Sequence, residues 1–521
     1  MASVASTAPA AEPTAPRTHT LEWADVWRLR GMLSIGILEA CVMSVLAHIY
    51  LPYARSIQRC DVRPDAATLL DVHASSWSGS RECADRDYVT REAQSLVNLG
   101  QGITLGLCCV VLPTYGVLAD RIGRWRVIAI YFAGISMLCV ANALFPSNAV
   151  FLVSRSLSGA LGDPHPIAHA QIADVCAPDV RSSCFALILV VKMLVGSTAG
   201  LLANYAIVGR HVYDYTLVWL GLALGAAALF AGCFAFPETH PRLASLAAKG
   251  AREADEPAEP APAAHAGLGL AEALRVVSQP VLRHVIIVSC LCVSGLSAWS
   301  VVGGWLIIVY GWPQERFGYV SLALLPAMVV ALALGPRLQR LMGVGRYLAI
   351  ATAMMLGSLL CLDLAFMHSA FFYAALLLVS FAFSSAPAFM AATTLIVSEE
   401  DQGKTQGAVS ATFHGVSAGA LSLYGALFKA QALLPGRVVS LCFWVGSAFV
   451  ALGVAYGSAT RTWHDLSEAG KSASASGELR ALSNRTALLE GAPASSMSLI
   501  DEVSLRVRAL SRAEAGHVEL S

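Results

Sequence analysis

The segment "GVLADRIGRWRV", Gly116–Val127, is the most informative stretch of this chain, because it is strongly charged and lies between two long apolar segments. It contains two glycines, one aspartate and three arginines. The glycines permit a tight turn and a close helix contact. Asp120 can cap a helix start and pair with Arg121 or Arg124. The segment predicts a compact polar turn between two helices; a basic loop that only sets topology is the alternative.

The composition around this turn is that of a membrane protein. Of the 521 residues, 56% are hydrophobic and only 13% are charged, whereas a soluble domain needs many more charged residues on its surface. The 35 basic residues balance the 35 acidic ones, so there is no bulk positive field to bind nucleic acid. We therefore predict an all-α polytopic membrane protein whose surroundings are the lipid bilayer, with no nucleic-acid partner.

The apolar segments divide the chain into two halves. About twelve of them are long enough for helices that cross a bilayer, six on each side of a central linker. The first half covers residues 31–236 and the second covers residues 283–457. The linker, residues 237–282, is rich in Ala, Pro and Glu and cannot bury enough apolar surface to fold by itself.

The distribution of Lys and Arg in the short loops predicts the orientation. It places both tails, the disordered residues 1–30 and residues 458–521, in the cytoplasm. The long polar loop 53–94 then lies on the outer or luminal side, and it contains Cys60 and Cys83. In an oxidising compartment, a disulfide between these two would restrict the loop and contribute about 3 kcal/mol to stability; two free thiols are the alternative.

Several motifs resemble those of the major facilitator superfamily. The turn at residues 116–127 matches its signature of Gly, two residues, Ala-Asp-Arg, one residue and Gly-Arg. A weaker copy, "GPRLQRLMGVGRY", follows the eighth apolar segment, with Gln339 in place of the aspartate. "RSLSG" at Arg155–Gly159 fits the same family. The QG-xx-QG pair at Gln402–Gly407 and the start of the first helix resemble the tetracycline-antiporter-like and hippocampus-abundant-transcript branch.

This resemblance implies a major facilitator fold of two pseudo-symmetric six-helix bundles that move by alternating access. It also implies that the signature turn acts as a conformational latch on the cytoplasmic side. The fifth helix keeps the glycine spacing of the exporter signature but lacks its proline, so the direction of transport stays open. The latch candidates are Gly116, Asp120, Arg121, Gly123 and Arg124.

Ionisable side chains inside apolar segments are functional candidates, because each costs about 3 kcal/mol or more in the membrane. We take the fourth helix as one unbroken span over residues 149–172. From a rise of about 1.5 Å per residue, Glu39, Asp163 and Lys192 then lie roughly 12, 9 and 13 Å above the cytoplasmic edge. They would form one charged layer on three helices, with one carboxylate lacking a full partner. Such a carboxylate could carry a proton; a salt-bridged triad that only orients the helices is the alternative.

Other polar residues extend this set. His165 and His169 are four residues apart and could relay protons or, with Asp163, hold a divalent metal; hydrogen bonds to neighbouring helices are the simpler interpretation. Asn98 and Gln101 form a patch suited to a solute hydroxyl or amide. No metal site is predicted. The cavity candidates are Glu39, Asn98, Gln101, Arg155, Asp163, His165, His169, Lys192 and His414.

These features predict a secondary active transporter that moves a small organic solute, coupled to protons. The chain has no ATP-binding loop, so an ion or solute gradient must supply the energy. We expect a monomer without a cofactor or enzymatic activity, in a membrane that the sequence does not identify. Two alternatives stay open: an uncoupled facilitator, and a transporter-like receptor or scaffold that uses loop 53–94 and the C-terminal tail.

Overall fold

A computed structural model describes residues 27, 29–57, 86–175, 181–208, 215–239, 280–312, 316–385, 388–389, 402–431 and 440–468. Cys60 and Cys83 lie outside these residues, as do most of the linker and most of both tails, so the disulfide stays a prediction. The described part of the chain is helical, which confirms the all-α fold class.

The N-terminal half contains six helical segments, of which the fourth is broken. α5 continues as a short π-helix at Asn204–Val208. We number the segments α1 (Arg30–Ile57), α2 (Arg86–Ile122), α3 (Arg124–Leu144), α4a (Asn148–Ala160) with α4b (His165–Val175), α5 (Arg181–Ala203) and α6 (Tyr215–Cys233).

The C-terminal half repeats this order with its own interruption in the seventh segment. A 3-10 turn at Ser297–Val301 separates the two parts of α7. The segments are α7a (Pro280–Leu296) with α7b (Val302–Tyr310), α8 (Arg316–Met342), α9 (Val344–Leu364), α10 (Ser369–Phe383), α11 (Gln402–Ala430) and α12 (Leu441–Ala459).

Eight helices in the described ranges are long and apolar enough to cross a membrane: α1, α2, α3, α5, α6, α7, α9 and α12. The chain is therefore polytopic, as predicted. Of the other four segments, α4 is broken, α8 and α10 have apolar parts shorter than 18 residues, and α11 carries many small polar residues in "SATFHGVSAGALS". The count of twelve crossing helices therefore stays a prediction.

The helices of the structure differ from the predicted spans in three places. Helix 4 was expected to be continuous, but Gly162 adopts φ 87° and Pro164 follows it, so the chain breaks between α4a and α4b. The loop expected at 53–94 is narrower, because α1 continues to Ile57 and α2 begins at Arg86. The tail expected from residue 458 begins with a helical turn at 462–468, in which Leu466 is fully buried.

Each half has its own hydrophobic core. The first core contains residues from Leu29 to Cys233 and includes the fully buried Trp219. The second contains residues from Val285 to Leu466 and includes the buried Trp305. Since burial of apolar surface is the main stabilising term, each half can be expected to hold together when the halves move relative to each other.

The halves meet along two helix pairs, α2 with α11 and α5 with α8. The α2–α11 pair makes the most extensive contact between any two elements of the described structure. Small residues permit it: a Cβ atom on Gly102 would clash with Ser422, and one on Gly106 would lie 3.6 Å from Ala418. Glycines let helix backbones approach closely in membranes, so this interface needs no large side chains.

Candidate functional site

The first element of the site is an ion pair between α1 and α5. Lys192 Nζ lies 2.7 Å from Glu39 Oε2. Glu39 is buried, and Gly36, one turn earlier on α1, leaves space for the stem of Lys192, whose Cδ would lie 3.7 Å from a Cβ atom there. Each charge offsets the cost of burying the other, so removing either one leaves a buried charge without its partner.

The second element is His165, which follows the break in α4. Its Nδ1 lies 2.7 Å from Asp163 Oδ1, and its backbone N–H donates to the same oxygen over 3.0 Å. Its Nε2 lies 3.5 Å from Lys192 Nζ. An ammonium group can only donate, so Nε2 accepts and Nδ1 carries the proton donated to Asp163. The contact to Lys192 is the longest of the site and the weakest.

The third element joins the two halves. His414 Nε2, on α11, lies 2.9 Å from Asp163 Oδ2, and His414 Nδ1 lies 2.7 Å from the carbonyl oxygen of Ser410. A carbonyl only accepts, so Nδ1 carries a proton. The contact to Asp163 then needs a second proton, either on Nε2 as an imidazolium or on Oδ2 as a carboxylic acid. The Asp163–His414 contact therefore holds one exchangeable proton.

These five residues form a continuous series of polar contacts from α1 through α5 and α4 to α11, which we name the polar chain: Glu39, Lys192, His165, Asp163 and His414. The expected triad differs in one respect, since no ion pair in the described structure joins Asp163 directly to Lys192. The reason is the break at Gly162, which places Asp163 in a turn from which it reaches His165 and His414.

Two other candidate residues, His169 and Gln101, are not part of the polar chain. The side chain of His169 lies outside the described part, so its relay role stays a prediction. Among the described residues, no group of three or more His, Cys, Asp or Glu side chains could hold a metal ion. Gln101 is half-buried on α2 and takes no part in the hydrogen bonds described here.

Arg155 lies apart from the polar chain, in a buried position on α4a. Its Nη1 donates to Tyr50 Oη over 2.6 Å, and its guanidinium carbon lies 4.7 Å from the centre of the Tyr50 ring. Its Nε has no hydrogen-bond partner, and none of the ion pairs in the described ranges includes Arg155. A cation–π contact only partly offsets the burial of such a charge.

Asn98 belongs to a polar cluster that joins the two halves between α2 and the 3-10 turn of α7. Gln94 Nε2 donates to Asn98 Oδ1 and to the carbonyl of Ser300, both over 3.0 Å, and Asn98 Nδ2 donates to Ser300 Oγ over 2.9 Å. Nearer the start of α2, Lys429 pairs with Glu92 over 2.7 Å. In this conformation the Asn98 amide therefore bonds protein groups of both halves, rather than a solute.

The candidate latch is described only in part. The side chains at Gly116 and Asp120 lie outside the described set, so the role of Asp120 stays a prediction. Gly123 begins α3 with φ 108° and offers no side-chain cap. The backbone N–H of Arg124 instead donates to Glu238 Oε1 over 3.0 Å. Arg121 is exposed.

Sequence reasoning missed the groups that support these contacts. Glu238 lies in the segment assigned to the linker, directly after α6. Gln94 was overlooked, although its spacing of four residues from Asn98 on one helix was a usable signal. The link between Asp163 and His414 gave no such signal, because the two residues are 251 positions apart in different halves.

Comparisons with known proteins agree with this architecture. The family profile for the Major Facilitator Superfamily matches residues 88–423. The human organic anion transporter MFSD10 is 18% identical, with a TM-score of 0.57, over 84% of this chain and 100% of that chain. The xylose transporter XylE from E. coli is 12% identical, with a TM-score of 0.55, over 83% and 97%.

A nucleoside transporter, NupG, is similar to the same extent: 12% identity and a TM-score of 0.53, over 83% of this chain and 99% of that chain. At these identities the likeness concerns the fold, whereas the profile match extends over more than half of the sequence. The chain belongs to the major facilitator superfamily, and it is an integral, multi-pass membrane transporter rather than an enzyme.

Proposed function

We propose that this chain is a secondary active transporter that couples the movement of a small organic solute to the movement of protons. The observation that carries the proposal is the Asp163–His414 contact, which joins the two halves and requires a proton. The two buried hydrophobic cores support motion of the halves as units. The related structures carry unlike solutes by their names, so they do not select one for this chain.

The coupling step follows from the hydrogen-bonding inventory. While the proton is present, Asp163 and His414 hold α4 and α11 together. When the proton leaves, Asp163 becomes a carboxylate opposite a neutral imidazole whose Nε2 has only a lone pair. The hydrogen bond is then lost, and the halves can separate at this point. Proton release on one side and uptake on the other would thereby bias which side the site faces.

The experiment is proton flux in proteoliposomes that contain a trapped pH-sensitive dye. Solutes are added one by one, and the signal is compared between the parent protein and His414→Phe. We expect at least one solute to drive proton movement in the parent, and His414→Phe to exchange that solute with at least a tenfold smaller proton signal. A solute that crosses without proton movement in the parent would instead establish the uncoupled facilitator.

A further inference from the structure

One member of the polar chain is far more exposed than the others. The side chain of His165 is 56% exposed, whereas the other four are 8–20% exposed: Lys192 20%, Asp163 18%, His414 17% and Glu39 8%. His165 directly follows the break in α4, near the contact between the halves. A polar side chain this open within a membrane segment would be costly against lipid, so we expect water beside it. The most accessible member of the polar chain is therefore a nitrogen base.

The hydrogen-bond inventory points the same way. Asp163 Oδ1 accepts two bonds from His165, and Oδ2 contacts His414. Glu39 Oε2 accepts from Lys192. Lys192 has three N–H groups, of which one binds Glu39 and one makes the long contact to His165, so one donor is left for a ligand. Both carboxylates thus form hydrogen bonds with protein groups, while the Lys192 ammonium keeps a free N–H beside the exposed His165.

Arg155 adds a buried positive charge to the same helical segment, apart from the contacts of the polar chain. It is 4% exposed, its Nε is without a partner, and no carboxylate pairs with it among the described ion pairs. It stands eight residues before Asp163 on the same segment, α4. In a low-dielectric interior, an uncompensated cation raises the local concentration of anions and repels cations. A bound anion would offset a charge that the protein itself leaves without an acid.

Resting on the proposed function, we propose that the transported solute is an organic anion, whose acid group accepts a hydrogen bond from the free N–H of the Lys192 ammonium beside the exposed His165. A carboxylate that engages Lys192 competes with Glu39 for the same cation. Glu39 then takes up a proton from the aqueous side, because a buried carboxylate without a partner is costly. This proton is a second one, distinct from the proton that joins Asp163 to His414, and it leaves the charge of the Glu39–Lys192 site unchanged by loading.

The test measures the sign of the electrostatic potential at position 165, beside Lys192. His165→Cys places a thiol at the exposed position, and His165→Ser is the matched variant without a thiol. The thiol is reacted with a sulfonate-bearing and with a trimethylammonium-bearing methanethiosulfonate. Each rate is divided by that of free 2-mercaptoethanol. Ser458→Cys, an exposed position at the far end of α12, is the control. Gly36→Cys, beside the Lys192 stem, is a second reporter if His165→Cys does not fold.

We expect the anionic reagent to react about tenfold faster than the cationic one at position 165, and no such preference at position 458. Equal rates, or a faster cationic reagent, would overturn the anion proposal. So would a thiol at 165 that does not react while the thiol at 458 does. None of these results would affect the proton-coupled transport proposed above, whose test is proton flux and whose residues are Asp163 and His414.

Discussion

The two halves of the chain differ in how they carry charge. The N-terminal half supplies four of the five members of the polar chain, on α1, α4 and α5, whereas the C-terminal half supplies only His414. The pseudo-symmetry of the helices therefore does not extend to the site. This arrangement places the proton that joins the halves and the ion pair within the N-terminal half on different residues.

The turns before α3 and α9 show the same contrast in their packing. Both α3 and α9 begin at a glycine with positive φ and no side-chain cap, Gly123 and Gly343. In the N-terminal half, Trp125 of the turn packs on Phe236 and donates to the Pro237 carbonyl, both in the segment that leaves α6.

In the C-terminal half, the tryptophan belongs to the segment that follows the last helix and not to the turn. Trp463, in the segment that leaves α12, packs over Gly457, and its carbonyl lies against Gly345 at the start of α9. Gly345 occupies the second position after the capping glycine, as Trp125 does in the N-terminal half. The turn itself supplies the tryptophan in the N-terminal half, whereas the segment after α12 supplies it in the C-terminal half. The packing of the two turns therefore depends on different residues.

The largest effect should come from breaking the ion pair of the N-terminal half. Lys192→Met leaves Glu39 buried without its cation, which we expect to cost about 3 kcal/mol and to lower both expression and the unfolding temperature. Glu39→Gln combined with Lys192→Met should recover most of this loss, since no charge is then left alone. Thermal unfolding in detergent measures both variants. If the double variant is less stable than the single one, the two groups are not partners.

A smaller effect should follow from adding a side chain at Gly345, where residues 462–468 pack on the start of α9. A Cβ atom on Gly345 would clash with the Trp463 backbone, so Gly345→Ala should cost about 1–3 kcal/mol. Gly419→Ala is the matched control, because nothing lies within 4 Å of its added Cβ. The same unfolding assay compares them. Equal melting temperatures for the two variants would mean that residues 462–468 do not dock on α9.

The smallest effect should come from the cap of α3 in the N-terminal half. Glu238→Ala removes the acceptor of the Arg124 N–H, and loss of such a cap costs about 1 kcal/mol. Glu238→Gln keeps an acceptor oxygen and should cost less. Hydrogen exchange at the first turn of α3 would show whether the cap is local. Slow exchange that persists in Glu238→Ala would assign the cap to another group.

The sequence predicted the fold class and the Glu39–Lys192 layer, because the rise of a helix is constant and depth can be counted along it. It did not predict the position of Asp163, since the count assumed an unbroken helix through Gly162 and Pro164. His414 was recognised as a buried base, but its partner lies in the other half. The register between two helices depends on packing that no single segment encodes. The cap by Glu238 was missed for the same reason.

The central claim is that one proton joins Asp163 to His414, and a double-mutant cycle measures it most directly. The free energy of unfolding is measured at about pH 5.5 and about pH 9 for the parent, Asp163→Asn, His414→Phe and the double variant. The same cycle on the Glu39–Lys192 pair is the reference. We expect a coupling of about 1–3 kcal/mol between Asp163 and His414 at the lower pH that disappears at the higher pH, while the reference coupling persists. A coupling that is absent at both values, or equal at both, would contradict a shared proton at this contact.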